Sequence, residues 1–352
     1  MIQGKTNTEA NYRAVMLDSS SSLKDFSMDR RKYYKKYILN EPMNEKETGA
    51  ANMGRLVETI LMEPELFDEK FYLSSCENVP TGLMLDFVEA LYKATTNATD
   101  ENTGEVNKDF ETLSKEAYEM SGFKLKYESV MNKFIDSDAQ MYYDEIRKVR
   151  ANNLTVVNNM EINIANKIVN TLKSNPVTGP IFSLVNSERY TVFNQLQVED
   201  YTMMGHQFKS MMDLVVIDHH EKTIQVYDLK CTWNVENFFE EYYLYRRAYI
   251  QAYLYKKAAE SLADDVNAEY YNYQVLHPRF IVCDSGDYYA PLIYKLSDED
   301  MIDANIGFEY KGRRYPGVKE LVASLKWART TNTWNISVEN FVENGVVKLR
   351  NR

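Results

Sequence analysis

The stretch that decides the fold runs from Gly205 to Tyr255: GHQFKSMMDLVVIDHHEKTIQVYDLKCTWNVENFFEEYYLYRRAYIQAYLY. It reads as strand, tight turn, strand, long helix. Asp213 heads the apolar run Leu214-Val215-Val216-Ile217, residues 218–222 are polar and turn-forming, and Thr223 to Tyr227 is a second β-prone run. Side chains two apart on a strand share a face, so Asp228 and Lys230 point one way and Leu229 the other. Pairing the two runs as a hairpin brings Asp213 near Asp228. Two carboxylates converging beside one lysine suit a divalent cation, which offsets their repulsion while the lysine steadies a phosphate or hydroxide. The helix expected over 235–261 puts Phe238, Tyr242, Tyr245 and Tyr249 on a core seam. Arg247, Gln251 and Tyr255 follow at i, i+4, i+8 on another stripe.

Around this stretch the composition is that of a globular protein. Of 352 residues, 44% are hydrophobic and 26% charged, which is long enough for a sizeable core. No apolar run approaches the ~18–20 residues of a membrane span. MIQGKTNTEANYRAVM lacks the basic start and apolar centre of a signal peptide. A cytoplasmic, membrane-free protein is expected, in the bacterial host cytoplasm if the chain is phage-encoded. Cys76, Cys231 and Cys283 form no CxxC pair, which speaks against zinc ribbons and four-cysteine clusters. The net charge of −11 counts against a basic coat for non-specific DNA binding. It leaves room for a local channel, because positive charge is needed only where phosphates pass. There is no Walker loop, GxGxxG, HExxH or internal repeat, so an ATP-driven motor is not expected.

Upstream, Ser19 to Ser22 offer a helix cap before LKDFSMDRRKYYKKYILNE. There Arg30, Arg31 and Lys35 alternate with tyrosines, which fits either a solvated basic face or a DNA-backbone contact. Met53, Leu56, Val57, Ile60 and Leu61 form one apolar arc of a helix, with Glu58 at its edge and Pro64 beyond its end. Residues 77–160 read as a helical insertion. The breaker run 175–180 precedes the alternating strand 187–199, and two closing strands are expected over 270–283 and 288–296. The organisation expected is one domain over 1–352. It comprises N-terminal helices at 19–64, the insertion at 77–160, a core sheet over 187–300 and a C-terminal helical extension over 301–352.

An acid, about fifteen residues, then Asp-x-Lys resembles the core of the PD-(D/E)xK nuclease superfamily. Gln251-x-x-x-Tyr255 resembles the extra motif of its RecB-like branch. Gly205, Lys209 and Asp213 match the Gly-x-x-x-Lys-x-x-x-Asp segment of RecE-type phage exonucleases, related to lambda exonuclease. The proline usual before the first acid is Met212 here, a change that removes no ligand atom. Gly54, Glu58 and Pro64 match a family segment whose histidine lies near the metal, with Glu58 in the histidine's place, and a carboxylate suits Mg²⁺ better than imidazole does.

The resemblance implies a restriction-endonuclease-like α/β fold, a mixed β-sheet flanked by helices with a helical insertion. It implies Mg²⁺ (or Mn²⁺) held by Glu58, Asp213, Asp228 and the Leu229 carbonyl. Lys230 would act on the nucleophile, with Gln251 and Tyr255 in the catalytic set. Lys209, Arg247, Arg30, Arg31 and Lys35 would meet DNA. It further implies 5′-to-3′ resection of linear duplex ends for recombination, a homo-oligomer, and a single-strand annealing protein as partner. A RecB-like nuclease in replication or immunity-related DNA processing would keep the metal site and change polarity and substrate. A non-catalytic DNA-end-binding module would keep the fold alone, and the intact Asp213, Asp228 and Lys230 speak against it.

Overall fold

The alternating segments form the strands where periodicity places them. In the computed structural model, which describes residues 9–41, 49–76, 78–100, 103–152 and 154–347, the strands are, in chain order, β1 (Phe71–Leu73), β2 (Thr155–Val157), β3 (Tyr190–Met203), β4 (His206–Asp218), β5 (Thr223–Thr232), β6 (Gln274–Val275), β7 (Arg279–Asp284), β8 (Leu292–Lys295), β9 (Phe308–Tyr310) and β10 (Arg313–Tyr315). The central sheet has the order β3-β4-β5-β7-β8, with β6 also pairing β5. It is mixed: β3, β4 and β5 run antiparallel in turn, β5 and β7 are parallel, and β8 returns antiparallel. The architecture is thus α/β, a mixed sheet flanked by helices.

The β4–β5 turn forms as its polar residues dictate. Lys222 adopts φ +50°, and Asp218 accepts backbone N–H bonds from His220 (3.0 Å) and Glu221 (3.1 Å). This is the local side-chain turn that aspartate favours. Leu214, Val215, Val216 and Ile217 are all buried, the pattern of a strand covered on both faces.

The helices used below are α1 (Glu9–Ala14), α2 (Ser20–Met28), α3 (Gly49–Met62), α4 (Gly82–Asn97), α5 (Phe110–Ser121), α6 (Tyr127–Phe134), α7 (Asp138–Arg150), α8 (Ala248–Asp264), α9 (Asp298–Ile306) and α10 (Val318–Thr331). Helix α8 is apolar nearly all round and packs on β3, β4, β5 and β6, as a helix without a polar stripe must. Its Ile250, Leu254 and Ala258 share one core with Met212, Val215 and Val226 of the sheet and with Leu23 and Phe26 of α2. Each fully buried leucine or phenylalanine in it stabilises the fold by roughly 1.5–3 kcal/mol. The α2 terminus is secured by a reciprocal Ser19–Ser22 capping box, as the serine run suggests.

Two expectations need correction. The helix predicted over 235–261 is not continuous. Residues Phe239–Tyr245 form a π-helical segment, Arg247 turns left-handed at φ 56°, and α8 begins only at Ala248. Tyr245 is therefore 64% exposed rather than part of the core seam. Second, the chain forms two compact units, residues 1–54 with 168–352, and residues 55–167. The unit boundary falls inside α3, before the expected residue 77, and the second unit carries a core of its own between Cys76 and Ile146. Phe87 and Leu91 of α4, Leu113 of α5, Phe134 of α6 and Ile146 of α7 pack together there. Residues 1–8, 77 and 348–352, which belong to expected segments, lie outside the described residues.

Candidate active site

The site grows from a parting of strands. The β4–β5 ladder runs from Asp218↔Thr223 to Leu214↔Tyr227 and stops there. The next pair in register would be Asp213 and Asp228. On its other edge β5 pairs in parallel with β7 from Tyr227 through Thr232. The N–H of Leu229 finds no β4 carbonyl and donates to Asp213 Oδ2 at 2.9 Å. The first acid therefore replaces a rung of the ladder, which fixes it beside the strand that carries the second.

Across β4 from Asp213 stands Gln195, flanked by the pairs Asn194↔Leu214 and Leu196↔Met212 and itself at φ 51°. A non-glycine residue held left-handed in a strand costs on the order of 1–3 kcal/mol. The surrounding sheet sustains that strain directly opposite the acid.

Asp228 is 1% exposed. Its Oδ1 accepts from Gln251 Nε2 at 2.6 Å. Its Oδ2 lies against the Lys230 ammonium as an ion pair and receives no hydrogen bond of ordinary geometry. The same ammonium reaches the Leu229 carbonyl at 3.4 Å. Gln251 and Tyr255, one helical turn apart on α8, are linked by Gln251 Nε2 to the Tyr255 hydroxyl at 2.8 Å. Burial, and then the charges of Asp213 and Asp228, hold the Tyr255 phenol well above its usual range. It stays a neutral group.

Periodicity does not point to one member of the site. Lys24 of α2 donates to Gln251 Oε1 at 3.0 Å across 227 positions of sequence. Burial, and next the Lys230 ammonium, bring its pKa down to about 8, against the opposing pull of Asp228, Asp25 and Asp213. The available signal was a lysine set between Leu23 and Phe26, both buried on this helix.

The oxygens of this site fit a hard divalent cation. Two carboxylates and a main-chain carbonyl are the donors Mg²⁺ takes, and a buried carboxylate oxygen without an ordinary donor is one a cation can satisfy. The Lys230 ammonium, lying on Asp228 Oδ2 and near the Leu229 carbonyl, marks where positive charge is already accepted. Among the described residues no group of three or more His, Cys, Asp or Glu is clustered as a metal site. Glu58 is half-buried on α3.

The residues expected at DNA are dispersed. Lys209 is 7% exposed, and its ammonium donates to the carbonyls of Tyr12 (2.7 Å), Arg13 (3.2 Å) and Val15 (2.7 Å). It closes the C-terminal end of α1. Arg30 donates to the Ile336 carbonyl at 2.8 Å and lies over the Phe26 ring, whereas Arg31 is exposed beside Asp29. Lys35 pairs loosely with Glu41 at 3.8 Å. Arg247 sits outside α8, so it shares no helical stripe with Gln251. Burial lowers the pKa of its guanidinium, and its Nη1 is a buried nitrogen without a hydrogen-bond partner.

No family model matches the sequence, and no curated protein matches it. Among solved structures, the chain resembles a protein from Eubacterium rectale described as a "Putative exonuclease". The two are 12% identical, with a TM-score of 0.47 over 98% of this chain and 96% of that one.

Proposed function

We propose that this chain is a metal-dependent deoxyribonuclease of the PD-(D/E)xK type. The observation that carries the reading is the convergence of Asp213, Asp228 and Lys230 at the point where β4 and β5 part. Asp213, Asp228 and the Leu229 carbonyl would hold Mg²⁺ or Mn²⁺, which supplies Lewis-acid charge at a scissile phosphate when bound. The chain's own residues do the rest. Asp213 is locked by the Leu229 N–H. Gln251 orients Asp228 through Oδ1, and Tyr255 steadies Gln251. Lys230, beside Asp228 Oδ2, would orient the attacking water or neutralise charge developing on the phosphate. Lys24 places a second ammonium behind Gln251, of lowered proton affinity.

The finer reading rests on the sequence resemblance. It is 5′-to-3′ resection of linear duplex ends in recombination, by a RecE-like homo-oligomer of phage origin working with a single-strand annealing protein. No helix among the described residues is long and apolar enough to cross a membrane.

Linear duplex DNA labelled at one end, incubated with Mg²⁺ or Mn²⁺, tests the proposal. Wild type should degrade it and Lys230→Ala should not, and the order of label release gives the polarity. DNA ends bound but uncut with either metal would leave an end-binding module instead. The sequence-based assignment of Glu58 as a further ligand has its own test. If Glu58→Ala keeps wild-type Mn²⁺ affinity and activity, Glu58 leaves the ligand set.

A further inference from the structure

At the end of β5 the chain passes from Lys230 through Thr232 to Trp233, whose Cα lies at most about 11 Å from that of Lys230. Trp233 is 68% exposed, and Tyr288, on the loop that leaves β7, is 83% exposed. These are the two most exposed aromatic residues among the described ones, and Tyr289, next to Tyr288, is 48% exposed. The two loops leave the same edge. Thr232 and Asp284 are register partners at the ends of β5 and β7, and Ser285 N–H donates to the Thr232 carbonyl at 2.9 Å.

The β7 loop is held in shape by a buried acid. Asp284, 5% exposed, accepts from Gly286 N–H (3.0 Å) on Oδ1 and from the N–H groups of Tyr288 (2.8 Å) and Tyr289 (2.9 Å) on Oδ2. The Tyr288 and Tyr289 rings stand edge-to-face, 4.9 Å between centroids. A buried carboxylate with three main-chain donors thus fixes a loop whose largest rings point into solvent. Rings left in water forgo the hydrophobic gain of burial, so the clamp does not serve the core. The rim carries rings and not cations, which suits the π-faces of bases rather than phosphates.

We propose that Trp233, Tyr288 and Tyr289 form a stacking rim for unpaired bases beside the carboxylate site. The strand that reaches Lys230 then arrives single-stranded, from a frayed or already resected end. This rests on the nuclease reading and deepens it. Base–aromatic stacking contributes about 1–3 kcal/mol per base and tolerates any sequence.

The test is binding without cleavage, in EDTA. A fluorescein-labelled ten-nucleotide oligothymidylate and an abasic phosphodiester of equal length would be titrated with wild type, Trp233→Ala and Tyr288→Ala/Tyr289→Ala. Wild type should bind the thymidylate at least about tenfold more tightly than the abasic chain. Each variant should lose about tenfold on the thymidylate and nothing on the abasic chain. Trp233→Phe should retain binding, and Mn²⁺ affinity should match wild type throughout. Variants that bind the thymidylate like wild type, or that lose both ligands equally, overturn the rim. Wild type binding blunt duplex but neither single strand overturns the rim and leaves the nuclease reading standing. No binding to any DNA overturns the rim, and the Mg²⁺ cleavage assay decides the nuclease reading separately.

Discussion

Two buried carboxylates, Asp18 and Asp228, are handled in opposite ways. Asp18 is 4% exposed and fully partnered. Its Oδ1 accepts from Ser22 (2.9 Å) and Tyr33 (2.7 Å), and its Oδ2 meets His206 (2.8 Å) and Arg329 (2.8 Å). Burial alone would raise its pKa, but the His206 bond, the Arg329 charge and the two hydroxyls outweigh it and hold the carboxyl below its usual range. Asp228 is more deeply buried and has one ordinary hydrogen bond, from Gln251. Its second oxygen has only the Lys230 ammonium. A satisfied buried acid is a fastening, and an under-satisfied one is available for chemistry.

The largest effect that tests this contrast is Asp228→Asn. It should reduce cleavage of end-labelled duplex by about a thousandfold or more while changing the unfolding free energy, read by urea titration, by less than about 1 kcal/mol. A variant that instead unfolds readily would make Asp228 a fastening too.

Asp18→Asn should do the reverse. Removing one partner of a buried pair costs about 3–5 kcal/mol, read by urea unfolding, with near-normal cleavage at low temperature. Because the folded pKa of Asp18 lies below the unfolded value of ~3.9, its stabilisation is complete above that pH. It is lost as pH falls through the folded value, and the variant should lose this acid-side slope.

Gln251→Ala takes away the one ordinary donor to Asp228. Supporting partners of metal-binding carboxylates are typically worth 10–100-fold, so a drop of about tenfold or more in Mn²⁺ affinity by calorimetry is expected. Unchanged affinity would mean that Gln251 only packs.

Lys24→Met gives the smallest effect. The folded pKa of Lys24 is about 8 against ~10.4 unfolded, so the unfolded chain binds more protons between these values. Wild-type stability should then gain from this group as pH rises across that window, a component the variant lacks. Identical pH profiles for the two proteins would show that Lys24 is not perturbed.

Much of this site was legible because its spacing is local. Alternation put Asp228 and Lys230 on one face of β5, the hairpin set Asp213 against Asp228, and i, i+4 spacing joined Gln251 to Tyr255. What sequence could not show was set by backbone or by distance. Nothing in the side-chain pattern announces that Arg247 is left-handed and breaks the expected helix. Lys209, expected at DNA from its motif, is ringed by the carbonyls of Tyr12, Arg13 and Val15, almost two hundred positions away. Lys24 enters through tertiary packing alone.

The contact of Lys209 with the α1 carbonyls has a mechanical side. The same residue receives Asp18 through its backbone, Lys209 N–H to the Asp18 carbonyl at 2.8 Å, on the stretch of β4 where β5 no longer pairs. Force applied to the first helix is thus transmitted to β4 four residues before Asp213. A tether or fusion on the first helix loads the strand that carries the first acid, whereas one attached after α10 pulls on β4 through the shared core and through Arg329 and Asp18.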